Sequence, residues 1–112
     1  MKLDVYREDN LVIIRIIGRF DINQVHLFES AFIDQVESNP AVIAVRMKEC
    51  TYIDSSAIVT FVRFLNMARR KGIEMICYDL NENIEKIFKI SKLDAYLKVM
   101  TERQFLEKYA NR

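Results

Sequence analysis

Residues 51–64, TYIDSSAIVTFVRF, change character at their fourth position. Thr51, Tyr52 and Ile53 favour extended backbone and read as the exit of a strand. Beyond them Ile58, Phe61, Leu65 and Ala68 recur at helical spacing, which predicts a helix starting at Asp54 or Ser55 and running to about Lys71. Gly72 then stands where a left-handed cap is expected. Strand, polar joint and amphipathic helix make one step of an alternating β/α chain.

The same step repeats on both sides. Upstream, Ala41–Met47 is a nearly continuous apolar run and reads as a buried strand. It is preceded by a helix over 23–38, with Val25, Phe28, Phe32 and Val36 inward. Asp21 or Asn23 can cap that helix, and Asn39-Pro40 ends it. Leu11–Ile17 is another apolar strand, joined through the polar turn Glu8-Asp9-Asn10 to a half-buried strand around Leu3 and Val5. Downstream, Ile73–Tyr78 reads as a strand and Asn81 as the cap of a short helix. In that helix Glu82–Lys86 and Glu85–Lys89 are favourable pairs, and Ile84, Ile87 and Phe88 point inward. Tyr96–Met100 alternates as a final strand, and Thr101 with Gln104 forms a capping box opening a last helix. The predicted fold is one α/β domain over 1–112, ordered β-β-α-β-α-β-α-β-α. Its five-stranded sheet is mixed and mostly parallel, because strands joined through helices favour right-handed parallel crossovers.

A chain of 112 residues, half of them hydrophobic, buries roughly 60–70% of its unfolded surface. The formal charge is +1, with no basic stripe of the kind nucleic acids select. Arg69-Arg70-Lys71 falls at a helix end, where cations complement the dipole. Cys50 and Cys77 lack ligand or disulfide spacing and read as core thiols of a cytoplasmic protein. No stretch approaches a membrane span, and the first residues lack a signal-peptide pattern.

Gly18 and Gly72 are the only glycines, and neither belongs to a phosphate-cradling motif, so those two nucleotide-binding designs are not expected. A serine hydrolase would need a base beside Ser55 or Ser56, and the single histidine, His26, reads as a solvated helix residue. No metal or cofactor is expected, and the chain reads as a binding protein rather than an enzyme.

The joint Asp54-Ser55-Ser56 is explained first as capping, since Asp and Ser are preferred N-caps. It also falls at the carboxyl end of a central strand, the edge where open parallel sheets collect binding surfaces. Asp21 follows another parallel strand and is expected on the same edge. Val59, Val62 and Met67 are left over once the inward stripe is assigned. They form either a small exposed docking strip or the flanks of a wide buried stripe.

Three stretches resemble one family. Gly18-Arg-Phe-Asp21 is similar to its turn after an apolar strand, and Tyr52-Ile-Asp-Ser-Ser-Ala-Ile58 to its hydrophobic-Asp-Ser-Ser-Gly-Leu signature. Asn81–Asp94 is similar to its short helix followed by a Gly-Leu-like pair. The chain resembles a STAS domain in its stand-alone form, a bacterial anti-sigma factor antagonist. The resemblance implies that Ser55 is phosphorylated by an anti-sigma factor that is itself a serine kinase. It places Asp54, Ser56 and Asp21 around the docking surface, and phosphorylation switches the antagonist off. It also admits a STAS module serving as an accessory or scaffold subunit, in signalling or lipid transport, without phosphorylation. Ala57 and Val59 stand where the family favours glycine, which limits how closely a partner backbone can approach, and Lys92 replaces a later glycine.

Overall fold

A computed structural model describes residues 1–110. Its strands are β1 (Lys2–Glu8), β2 (Leu11–Phe20), β3 (Val42–Arg46), β4 (Cys50–Ile53), β5 (Glu74–Tyr78) and β6 (Lys98–Met100). The helices are α1 (Val25–Glu37), α2 (Ser55–Arg70), α3 (Glu82–Ile90) and the one-turn α4 (Glu102–Phe105), which continues as a wider turn over Leu106–Ala110. The sheet runs β1-β2-β3-β5-β6 with β1 antiparallel and the rest parallel, and β4 pairs beside the far end of β2.

The sheet has six strands where the pattern predicted five. The additional one is β4, the strand exit at Thr51–Ile53, which becomes a ladder of its own because β2 is longer than its apolar run. Its first half pairs with β3 and its last residues pair with β4. The exchange of partner happens at Gly18, which has φ +92° and donates its N–H to Glu49 O at 2.9 Å. The register shifts between Gly18 and Arg19. A residue with a Cβ would strain that backbone, so this glycine sets where β2 turns toward the site.

One face of the sheet is covered by α1, α2 and α3. Phe20, Phe28, Phe32, Phe61, Phe64 and Phe88 meet there with neighbouring ring centroids 4.8–6.4 Å apart, mostly tilted or edge-on. The other face carries a smaller cluster in which Tyr78 stacks on Phe105 at 3.9 Å. β3 is buried on both faces, as its continuous apolar run requires.

Most of the expected caps are present: Asn81 accepts from Ile84 N, the Thr101–Gln104 box closes in both directions, and Gly72 adopts φ +72°. The first helix differs: neither Asp21 nor Asn23 caps α1, which starts behind Gln24 without a side-chain cap. A 3-10 turn over Ile22–Gln24 comes first, and Asp21 caps that turn through Asn23 N. The final strand is shorter than the Tyr96–Met100 alternation predicted. Leu93–Ala95 coil into a 3-10 turn and Tyr96 is exposed, while Leu97 is drawn into the helix-side core. Glu82–Lys86 pairs at 4.0 Å, whereas no Glu85–Lys89 pair forms among the described residues.

Candidate functional site

The α2 N-terminus is built by one carboxylate. Asp54 sits in extended backbone, and its Oδ1 accepts from Ala57 N at 3.0 Å, the bond that starts the helix. Its Oδ2 accepts from Ile22 N at 3.0 Å, and its own N–H donates to Phe20 O at 3.3 Å. The exits of β2 and β4 are thus tied together at the same sheet edge. Asp21, beside Ile22, caps the turn at Asn23 and pairs with Arg19 at 3.4 Å. The Arg19 guanidinium lies 4.4 Å over the Tyr52 ring.

Ser55 is exposed, and among the described residues its hydroxyl makes no hydrogen bond; Asp54, not Ser55, does the capping. Ser56 is half-buried, and its carbonyl accepts from Thr60 Oγ1 at 2.7 Å. Together with Ile22, Val25, His26, Val59, Thr60 and Arg63 these serines line a shallow depression of about 390 Å³ between the starts of α1 and α2. Two apolar side chains stand proud beside it, Ile22 at 65% and Val59 at 63% exposure.

The expected strip is therefore narrower than Val59, Val62 and Met67. Val62 and Met67 are half-buried and pack against the core. At 100° per residue Val62 falls on the flank of α2 away from Ser56 and Thr60, and it does not line the depression. The Ala57 methyl is sealed in the core, so it cannot hold a partner backbone at a distance as expected; the side chain that faces outward in place of a glycine is Val59. Ile58, assigned inward, is only half-buried, and Phe64 takes the central core position instead.

Ile22 was not singled out by the sequence pattern. Its spacing hides it: Ile22 stands three residues before Val25, as if it opened the Val25, Phe28, Phe32 stripe, yet it lies in the 3-10 turn that precedes α1 and is exposed. His26 shares the depression with both serines, yet no hydrogen bond joins it to either among the described residues. A serine nucleophile activated by histidine therefore has no geometric support here. Cys50 and Cys77 are buried; burial pushes the Cys50 thiol up to about 11 and Cys77 further still. No group of metal-ligating side chains converges among the described residues, and no helix is long and apolar enough to cross a membrane.

Comparison with known proteins agrees with this architecture. The family model of the STAS domain matches residues 2–105. Among solved structures, a Thermotoga maritima protein assigned as an anti-sigma factor antagonist superposes with a TM-score of 0.85 at 21% identity, over 97% of this chain and 95% of that one. The anti-sigma factor antagonist SpoIIAA in its unphosphorylated form gives 0.80 at 15% identity, over 99% and 98% of the two chains. The phosphorylated form of SpoIIAA, from Bacillus, gives 0.72 at 16% identity, over 96% and 98%. By the extent of the family match and the shared β-β-α order, the chain belongs to the STAS domain family.

Proposed function

We propose that this STAS domain is an anti-sigma factor antagonist, a binding protein rather than an enzyme. Its α2 edge docks an anti-sigma factor with serine kinase activity, and Ser55 is the phosphoacceptor. The observation that carries the reading is the Ser55 hydroxyl: exposed, free of internal hydrogen bonds, at the first turn of a 16-residue helix and flanked by exposed Ile22 and Val59. Similarity to antagonists solved in both phosphorylated and unphosphorylated forms supports it.

The position suits a switch because a phosphate there has opposite consequences for the domain and for its partner. Phosphorylation adds a charge of about −1.5 to −2. The helix dipole and the first-turn amides favour that anion by about 0.3–1 kcal/mol, so the domain stays folded. A partner closed over Ser55 has to desolvate the phosphate, at several kcal/mol when it is not well paired. Full release of a tightly held partner takes about 5.5 kcal/mol of differential affinity, which the interfacial term approaches and the folding term does not.

The test uses the full chain as bait in lysate from its own source, with and without ATP, followed by phosphosite mapping. The expected result is ATP-dependent modification of Ser55 by a co-purifying kinase, and loss of that partner from the Ser55→Asp variant. Stable capture of a non-kinase protein, indifferent to Ser55→Asp and Ser55→Ala, overturns this reading in favour of an accessory subunit.

A further inference from the structure

The margins of the sheet are finished in different ways. β6 has three residues and runs directly into the capping box at Thr101. The outer side of β4 is occupied: Asn81 Nδ2 donates to the carbonyls of Met47, Lys48 and Cys50, and Asn83 Nδ2 to Thr51 O. β1 has no such finish. It pairs with β2 over seven consecutive residues without a bulge, it contains no proline or glycine, and no strand among the described residues pairs with its outer side. Val5 and Tyr6, on its two faces, are 40% and 52% exposed. A long, regular edge with unpaired amides and carbonyls is a template for another strand.

We propose that this edge pairs with β1 of a second copy of the chain, antiparallel about a two-fold axis at Val5, joining two sheets into one. Backbone parity decides the register. Alternate residues of a strand direct their N–H and C=O to opposite sides, so those facing away from β2 are all odd or all even. A symmetric antiparallel pair must therefore oppose residues whose numbers sum to an even value.

Within the seven residues, three such registers overlap by five or more, centred on Asp4, Val5 or Tyr6. Centring on Asp4 sets its carboxylate against its own copy. Centring on Tyr6 opposes Asp4 to Glu8 twice. Centring on Val5 uses the whole strand and opposes Lys2 to Glu8 twice, Leu3 to Arg7, Asp4 to Tyr6, and Val5 to itself. It is the one register of the three without a like-charge pair, and it has two opposite-charge pairs. The charges that protect this edge from unrelated strands thus complement a second β1. A two-fold axis makes the contact closed, so association stops at the dimer. Strand pairing alone buries less than a standard interface, which sets the dissociation constant in the micromolar to millimolar range.

Sedimentation of the full chain from about 10 μM to about 1 mM tests this. The wild-type mass should rise from monomer to dimer. Lys2→Glu or Glu8→Lys alone should weaken association about tenfold, because each opposes like charges at both symmetric positions. The combined Lys2→Glu, Glu8→Lys chain should dimerise as the wild type does. Both side chains are exposed, so neither change threatens the fold. A chain that stays monomeric throughout, a dimer unmoved by either single reversal, or a double reversal that fails to restore association overturns the proposal.

Discussion

The Asp54 carboxylate accepts one hydrogen bond from Ile22 N and another from Ala57 N, each 3.0 Å long, and so fastens the turn after β2 to the first turn of α2. Removing it costs a cap and a cross-strand tie together. Asp54→Ala should destabilise the domain by about 2 kcal/mol, and Asp54→Asn, which keeps one acceptor oxygen, by about 1 kcal/mol. Urea unfolding followed by circular dichroism measures both.

Ser55 and its apolar neighbours should separate binding from stability. Ser55→Ala, Ile22→Ala and Val59→Ala alter exposed side chains and should leave the unfolding free energy within about 0.5 kcal/mol of wild type. Partner affinity, read by titration calorimetry, should fall about tenfold for Ile22→Ala and for Val59→Ala if both are covered on docking. Ser55→Ala should bind as wild type does and resist release by ATP.

Asn81 offers a sharper test of the scaffold beneath the site. Its Oδ1 caps α3 and its Nδ2 serves the carbonyls of Met47, Lys48 and Cys50 at 2.7–3.3 Å. Asn81→Asp keeps the cap but turns an anion toward those oxygens, and should cost about 3 kcal/mol, more than Asn81→Ala. Equal losses for the two variants in thermal unfolding would mean that the cap alone matters.

Stability should decline in alkali. Burial raises the Cys50 thiol from 9.0 to about 11, and the Tyr78 phenol from 10.0 to about 12. Below pH 9 neither state ionises these groups and their contribution is fully present. Above it the unfolded chain loses protons that the folded chain retains, so unfolding becomes easier as pH climbs toward the folded values. Chemical denaturation between pH 8 and pH 11 should show the fall setting in near pH 9, where the unfolded thiol begins to ionise, and steepening as the unfolded phenol follows. Native thiols should react with a disulfide reagent slowly, and quickly only in denaturant.

Lys92 occupies left-handed backbone at φ +60°, at the position where the family pattern has glycine. A side chain there costs on the order of 1 kcal/mol, so Lys92→Gly should raise stability by about that amount in the same urea assay.

Much of this was legible along the chain. Helical spacing located α1 and α2, proline and glycine marked their ends, and Asp54, Asn81 and Thr101 are caps by residue type alone. The candidate site was legible only in part. Ser55 and Val59 face outward as their positions on α2 suggest, whereas Val62, roughly a third of a helical turn in angle from the core centre, is half-covered by neighbours that the helix itself does not reveal. Ile22 was hidden for the converse reason: an apolar residue gives no local sign of being left uncovered.

Local chemistry therefore determined the alternation of strands and helices, their caps and the polar joint at Asp54, because each depends on spacing or hydrogen-bond donors within a few residues. Only the tertiary structure decided that β2 divides its pairing between β3 and β4 at Gly18, that Ile22 comes to lie beside Ser55, and that β1 keeps a bare outer edge. Those outcomes depend on which distant segments compete for the same backbone groups and the same buried surface, and that competition is settled only when the sheet closes.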